Sequence, residues 1–111
     1  MGYDAADPEW PEIQPGQYTC ALKCLDIEDT LDTMAQLRVF THAMHIYVQR
    51  EEKRGGIWKE FDPEDKLMHL RDKLRRMEYS WEHFSDGATL DLDDAYDLLN
   101  YAAFYIRQVK Q

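Results

Sequence analysis

Apolar residues recur every three or four positions between Asp26 and the Gly55-Gly56 pair. This is the period of one face of an α-helix. The stretch begins with acidic residues and ends with basic ones, which complements the helix dipole at both ends. The pattern predicts one long amphipathic helix over residues 27–53. Its apolar face consists of Ile27, Leu31, Met34, Leu37, Phe40 or Thr41, Met44, and Tyr47 or Val48.

A second helix is predicted over residues 63–84, and its start is marked by the segment Asp62-Pro63-Glu64-Asp65. Asp62 suits the N-cap, Pro63 suits the first helical position, and acidic residues are favoured in the first turn. Apolar residues then alternate at spacings of three and four, which is the heptad of a helix packed lengthwise on another helix. They are Leu67, Leu70, Leu74, Met77, Trp81 and Phe84.

A third helix is predicted over residues 92–109. Asp91 and Asp94 stand at the spacing of a capping box, with Asp in place of the usual Glu. The apolar stripe then continues as Leu92, Ala95 or Tyr96, Leu99, Ala102 or Ala103, Ile106 and Val109.

The predicted fold class is all-α, because no run of four to eight residues alternates between apolar and polar, and β-branched residues are scarce. We expect three main helices in an antiparallel bundle, within a single helical domain at residues 25–111. An irregular N-terminal arm is predicted at residues 1–24, since prolines and glycines interrupt its first part. Stripes this continuous leave apolar surface uncovered in a small monomer, so we expect a homodimer. The predicted core consists of Leu67, Leu70, Leu74, Met77, Trp81, Leu99 and Ile106.

Length, composition and net charge exclude several classes of protein. The 111 residues suffice for one domain, and 44% apolar residues exclude disorder over most of the length. The formal net charge of −9 disfavours a sequence-independent grip on nucleic acid. No stretch approaches the roughly 18 apolar residues of a membrane span, and residues 1–19 lack the pattern of a signal peptide. We therefore expect a cytoplasmic protein whose two cysteines are free thiols.

Four aspartates lie close together in the third predicted helix. Asp93 and Asp97 are four residues apart and Asp94 and Asp97 are three apart, so their side chains share one face. Crowded carboxylates repel one another unless a cation lies between them, and Mg²⁺ prefers such oxygen ligands. Asp93, Asp94 and Asp97 are therefore candidate metal ligands. The alternative for Asp91, Asp93 and Asp94 is helix capping, and it is favoured for Asp91 and Asp94. Asp97 lies beyond the first turn and inside an apolar stripe, where it needs a partner. The alternative to a metal there is an ion pair with Arg76 or Lys73 of the second predicted helix.

The second predicted helix carries a basic set, Arg71, Lys73, Arg75 and Arg76. Lys73 and Arg76 share a face beside the apolar stripe and are candidate contacts for a phosphate. The alternative is a solvated face whose charges pair with neighbouring acidic residues.

Asn100 and Tyr101 follow closely after Asp97, and Trp58 follows the Gly55-Gly56 pair. Asn100 is a candidate for contact with a base edge or a ribose, and Tyr101 and Trp58 are candidates for stacking on a base. The alternative for the aromatic residues is packing in the core.

Cys20, Cys24, His42 and His45 supply four nitrogen and sulfur ligands at helical spacings, which is the number that a zinc site needs. Their spacing departs from that of zinc fingers. Histidines that border the apolar face of a helix are the favoured alternative.

Three segments in order resemble a known family. Gly55-Gly56-Ile57-Trp58 resembles a Gly-x-x-Trp element, and Lys73 to Met77 resembles Lys-Ile/Leu-x-Arg-Leu. The segment Asp93 to Ala102 resembles Asp-x-x-x-Asp-Leu-x-Asn-Tyr-Ala. Together they are similar to the nucleotide-modification-associated domains, a helical family of phage and bacterial proteins, over roughly residues 50–106.

The last segment is also similar to the second acidic motif, Glu-x-x-Asp, of MazG-type nucleotide pyrophosphohydrolases. Asp94 stands at the Glu position and Asp97 at the Asp position. Those enzymes need a Glu-x-x-Glu on a facing helix as well. Within the predicted helix 27–53, the Glu51-Glu52 pair and the acidic residues from Glu28 to Asp32 are only approximate substitutes. The resemblance therefore supports nucleotide binding more than turnover.

Two functions are open at this point. The first is nucleotide binding in phage or bacterial nucleotide metabolism, and any catalysis is expected to be Mg²⁺-dependent attack of water on a nucleoside triphosphate with release of pyrophosphate. The second is a non-enzymatic acidic helical module that binds a host or phage protein. The charge of −9 and the incomplete upstream motif favour the second.

Overall fold

The computed structural model describes residues 14–84 and 92–110. These ranges form four α-helices and one 3₁₀ helix, Ile57–Glu60. No strand occurs in them, which confirms the all-α prediction. None of the described helices is long and apolar enough to cross a membrane. The α-helices are α1, Pro15–Cys24; α2, Leu31–Arg54; α3, Pro63–Phe84; and α4, Asp93–Val109.

Helix α1 corrects the prediction of an irregular arm through residue 24. Pro15 occupies the first helical position, where its missing N–H costs nothing. The Gln14 backbone N–H donates to Gln17 Oε1 at 2.9 Å as part of a capping box. The proline that interrupts the sequence pattern therefore begins a helix. Residues 1–13 of the predicted arm lie outside the described residues.

Helix α2 begins at Leu31, four residues later than predicted. Thr30 and Thr33 form the capping box: Thr33 N–H donates to Thr30 Oγ1 at 3.0 Å, and Thr30 N–H donates to Thr33 Oγ1 at 2.8 Å. Asp26 has φ of 59°, in the left-handed region, which a helix interior does not accept. The start was misplaced because the acidic residues from Asp26 onward indicated a helix terminus without locating its cap.

Helix α3 spans the predicted residues. Asp62 and Asp65 cap it reciprocally: Asp65 N–H donates to Asp62 Oδ1 at 3.1 Å and Asp62 N–H donates to Asp65 Oδ2 at 3.3 Å. Helix α4 begins at Asp93, and Leu92 holds the N-cap position without a side-chain hydrogen bond. Asp91, the predicted cap, lies outside the described residues.

Helix α4 lies between α2 and α3, which make little contact with each other. On one side, Arg76 approaches Asp94 while His69 stacks on Tyr101, so α3 and α4 run antiparallel. On the other side, Asn100 Nδ2 donates to the Ala43 carbonyl of α2 at 3.1 Å. Helix α1 packs on α2.

The predicted core is wrong in part. The core forms where α4 meets α2, with Ala43, Ile46 and Tyr96 buried and Leu99 packed against them. Three of the predicted core residues on α3 are exposed, including Leu74 at 48% and Trp81 at 63%. The heptad stripe is wider than the contact with α4, so only its inner edge is covered. The third exposed residue on α3 is Leu67, and Ile106 on α4 is exposed as well, whereas Leu70 and Met77 are partly buried.

Candidate functional site

Asp97 is a buried carboxylate, 8% exposed, in the first half of α4. Its Oδ1 accepts a hydrogen bond from Arg50 Nη1 of α2, and its Oδ2 lies 3.4 Å from Lys73 Nζ of α3. Two cationic partners offset the cost of removing this charge from water. One carboxylate therefore joins three helices.

Asp94 lies one turn earlier on α4 and faces the same basic residues. Its Oδ1 is 3.9 Å from Lys73 Nζ and 3.7 Å from Arg76 Nη1. Arg76 is exposed and also pairs with Asp72 on its own helix at 3.0 Å, so its contribution to stability is small. The structure thus brings the predicted acidic and basic residues together, with Lys73 shared between Asp94 and Asp97.

This arrangement bears on the predicted Mg²⁺ site. Asp94 and Asp97 face cations, and Asp93 is partly exposed on α4. Within the described ranges, no three His, Cys, Asp or Glu side chains converge as a metal site requires. Binding of Mg²⁺ by Asp93, Asp94 and Asp97 would need the cationic side chains to move aside, and it stays a prediction.

The four potential zinc ligands are distributed over two helices. Cys20 and Cys24 are free and exposed on α1. His42 is fully buried and packs edge-on against Tyr96, with ring centroids 4.7 Å apart, whereas His45 is exposed. Among residues 14–84 and 92–110 these side chains do not form a metal-binding group.

A cleft lies beside Asp97, between α2, the 3₁₀ helix and α4. Its cavity volume is about 60 Å³, smaller than the volume of a typical ligand pocket, so a ligand of nucleotide size would extend beyond its mouth. We call it the Trp58 cleft. Its lining combines aromatic rings with two arginines: Tyr47, Arg50, Glu51, Arg54, Ile57, Trp58, Phe61, Asp97, Asn100, Tyr101 and Phe104.

The Gly55-Gly56 pair positions one wall of the cleft. Gly55 has φ of 57° and Gly56 has φ of 74°, both in the left-handed region that side chains disfavour. Gly55 ends α2 and donates its N–H to the Glu51 carbonyl at 2.8 Å. The 3₁₀ helix begins directly after this pair, and its Trp58 packs against Phe104 of α4.

Trp58 is buried, 4% exposed, and its ring stacks on Phe104 with centroids 4.3 Å apart and planes 6° apart. The Arg107 guanidinium lies 4.6 Å from the Trp58 ring centroid. With so little exposed ring, Trp58 forms a wall of the cleft more readily than a stacking surface for a base. Its buried Nε1–H has no acceptor among the described residues, and such a donor is rare in folded proteins.

Lys66 forms hydrogen bonds to the backbone of the 3₁₀ helix that carries Trp58 and to the residue after it. Its side chain is fully buried, and its Nζ donates to the Trp58 carbonyl at 2.5 Å and to the Phe61 carbonyl at 2.9 Å. Burial lowers the pKa of Lys66 below its usual 10.5, while the nearby Asp65 and Asp62 carboxylates oppose this shift. Lys66 therefore holds the end of the 3₁₀ helix in place through two backbone carbonyls.

The lowered pKa of Lys66 gives a prediction for pH dependence. We expect the free energy of unfolding of the wild type to rise relative to that of Lys66→Met as the pH increases toward 10.5. In this interval the unfolded chain holds the Lys66 proton more tightly than the folded chain, so raising the pH favours folding. Urea unfolding of both proteins at a series of pH values from neutral to 10.5 measures the difference between their free energies of unfolding. The contributions of the other titrating groups cancel in this difference. Parallel curves would contradict the prediction.

The predicted residues Asn100 and Tyr101 also line the cleft. The amide nitrogen of Asn100 is engaged with the Ala43 carbonyl, so this side chain joins α4 to α2. Tyr101 stacks on His69 with centroids 4.8 Å apart and meets Phe104 edge-on. Both residues are partly buried, and they contribute to packing as well as to the cleft.

Sequence reasoning missed Arg50 and Arg54. Both lie in the basic end of α2, where the charge pattern indicated only a favourable helix dipole. The spacing of four between them, which places both side chains on one face, was a usable signal. The partner of Asp97 was expected among the basic residues of α3, and Lys73 meets that expectation whereas Arg50 was not foreseen.

When the chain is compared with known proteins, no protein-family model, no curated protein and no solved structure matches it. The chemistry of the site is therefore inferred from its side chains alone. They form an aromatic cleft with arginines in its lining, beside a buried carboxylate that two cations hold.

Proposed function

We propose that the protein binds a nucleoside phosphate in the Trp58 cleft. The observation that carries this proposal is the convergence of aromatic and guanidinium side chains on one concave surface. Aromatic walls suit a base, and guanidinium groups suit a phosphate. The motif resemblance to nucleotide-modification-associated domains supports the same ligand class, and a nucleotide ligand agrees with the expected cytoplasmic location.

Arg54 is our candidate for the main phosphate contact. It is exposed in the lining of the cleft and makes no ion pair within the described residues, while its neighbour Arg50 is engaged with Asp97. Lys73 and Arg76, the phosphate contacts predicted from sequence, do not line the cleft and face Asp94 instead. We therefore place the phosphate at Arg54, with Arg50 and Lys73 supplying positive charge behind it.

The base or sugar contacts the aromatic lining of the cleft in this proposal. In that lining, Tyr47 and Tyr101 are partly exposed and Phe61 is exposed. The buried Nε1–H of Trp58 supplies a donor for a ligand oxygen or nitrogen.

The proposal is confined to binding. Hydrolysis with Mg²⁺ needs carboxylates that face a metal, and Asp94 and Asp97 are held by Lys73, Arg50 and Arg76. The nucleotide titrations that test the proposal are therefore carried out with and without Mg²⁺. A requirement for Mg²⁺ would support the metal ligands predicted from sequence.

Calorimetric titration with a panel of dNTPs and dNMPs, each with and without Mg²⁺, tests the proposal. We expect saturable binding of at least one nucleotide at one site per chain. Ribose 5-phosphate and adenosine serve as partial ligands that separate the phosphate and base contributions. A flat response to the whole panel would refute nucleotide binding.

Arg54→Gln tests the phosphate contact. We expect the nucleotide Kd to rise by about tenfold or more, since a charge-assisted hydrogen bond contributes about 1.5–3 kcal/mol. The melting temperature should change little, because Arg54 is exposed. Lys53→Gln is the matched control: it removes the same charge from the adjacent exposed residue, which does not line the cleft. Equal weakening by both variants would indicate a general electrostatic effect.

A second candidate function is protein binding by a non-enzymatic acidic helical module. Helix α2 favours it, because Phe40, Met44 and Val48 form an exposed apolar row at spacings of four. The net charge of −9 suits a basic partner. A flat nucleotide titration would leave this function as the better supported one.

A further inference from the structure

Helix α3 carries an apolar row that no other described element covers. Leu67, Leu74 and Trp81 follow one another at intervals of seven, so they lie along one line of the helix surface. All three are exposed. Leu70 and Met77, between this row and α4, are partly buried. We call Leu67, Leu74 and Trp81 the outer row.

Two charged residues of opposite sign flank the outer row. Arg71 and Glu78 are exposed, and each follows a member of the row by four positions, on the side away from α4. They are seven residues apart, or about 10 Å along the helix, too far for a mutual ion pair. Neither makes an ion pair with another described residue.

The outer row and its two flanking charges are complementary to the same residues of a second, antiparallel copy of α3. If a second α3 lies antiparallel against the first, with the two-fold axis beside Leu74, then Leu67 meets the Trp81 side chain of the second copy. The same rotation places Arg71 opposite Glu78 of the second copy, and the pair occurs twice because the interface is symmetric. In a parallel two-fold arrangement, Arg71 and Glu78 of the two copies would lie on opposite sides of the interface and would not pair.

We propose that two copies of this chain associate through antiparallel α3 helices, with the outer row at the centre of the interface and Arg71 of each copy paired with Glu78 of the other. The interface buries the most exposed apolar row of α3 and matches its flanking charges. It lies on the face of α3 away from α4, so it does not use the Trp58 cleft. The inference is thus independent of nucleotide binding.

Sedimentation equilibrium of the full chain tests the association. We expect a species of twice the chain mass of 13.2 kDa at micromolar concentration. Leu74→Glu should convert it to a monomer, because two carboxylates would face each other at the axis. Met68→Glu is the matched control, since Met68 is exposed on the same helix but outside the outer row. A monomeric wild type, or a dimer that Leu74→Glu leaves unchanged, would overturn the proposal.

Charge reversal tests the antiparallel pairing. Arg71→Glu alone presents carboxylates at both positions and Glu78→Arg alone presents guanidinium groups at both, so each variant should dimerise about tenfold more weakly. Mixing the two variants should restore the dimer, because each carboxylate of the first variant then faces a guanidinium group of the second. Circular dichroism of each variant verifies that it is folded. Failure of the mixture to associate more tightly than either variant alone would refute this register.

Discussion

Asp97→Asn is expected to destabilise the protein by about 2–4 kcal/mol. The substitution leaves Lys73 and Arg50 facing a neutral amide, and a cation stranded in a partly buried pair is costly. The value lies toward the lower end of the range for buried pairs because the Arg50 side chain retains contact with solvent. Thermal melts should show the midpoint lowered by more than about 8 °C.

Asp94→Asn is the matched control for this substitution. It removes the same charge one turn away, where the ion pairs are longer and the side chain is more exposed, so the loss should stay within about 1 kcal/mol. Melts of the wild type and Asp97→Asn with and without Mg²⁺ separate ion pairing from metal binding. If Mg²⁺ raised the wild-type midpoint and Asp97→Asn were as stable as the wild type, Asp97 would be a metal ligand rather than a structural partner of Arg50 and Lys73.

Trp58→Ala is expected to cost about 3–5 kcal/mol, as a large-to-small change in the core. It leaves the Phe104 ring without its stacking partner and removes the surface over which Arg107 lies. Nucleotide binding should be lost as well, because the wall of the cleft is gone. Urea unfolding at one protein concentration provides the measurement.

Two further variants give this prediction its controls. Tyr79→Ala removes an exposed aromatic ring from the outside of α3 and should cost no more than about 1 kcal/mol. Trp58→Phe keeps a ring against Phe104 but removes the Nε1–H, so it should weaken nucleotide binding more than it lowers stability. A Trp58→Ala variant as stable as Tyr79→Ala would show that Trp58 is not part of the core.

The need of Asp97 for a partner was predictable from the sequence. A carboxylate inside an apolar stripe and beyond the first helical turn requires a cation, and Lys73 supplies it. Arg50 was not predictable in the same way, because it is 47 residues away in the chain and only the crossing of α2 over α4 brings it to Asp97. The Trp58 cleft was not predictable from local sequence patterns either, because its lining residues come from separate helices.

Local patterns determined the helices. The period of apolar residues and the reciprocal caps of α3 depend on side chains within one turn of each other, so the sequence alone placed α3 at residues 63–84 and ended α4 at residue 109. Which apolar residues become buried depends on how much of each stripe a neighbouring helix covers. Leu74 and Leu70 both belong to the heptad stripe, yet only Leu70 turns toward α4. Burial, ion pairing across helices and the Trp58 cleft were decided by tertiary packing, because they depend on contacts between residues far apart in the chain.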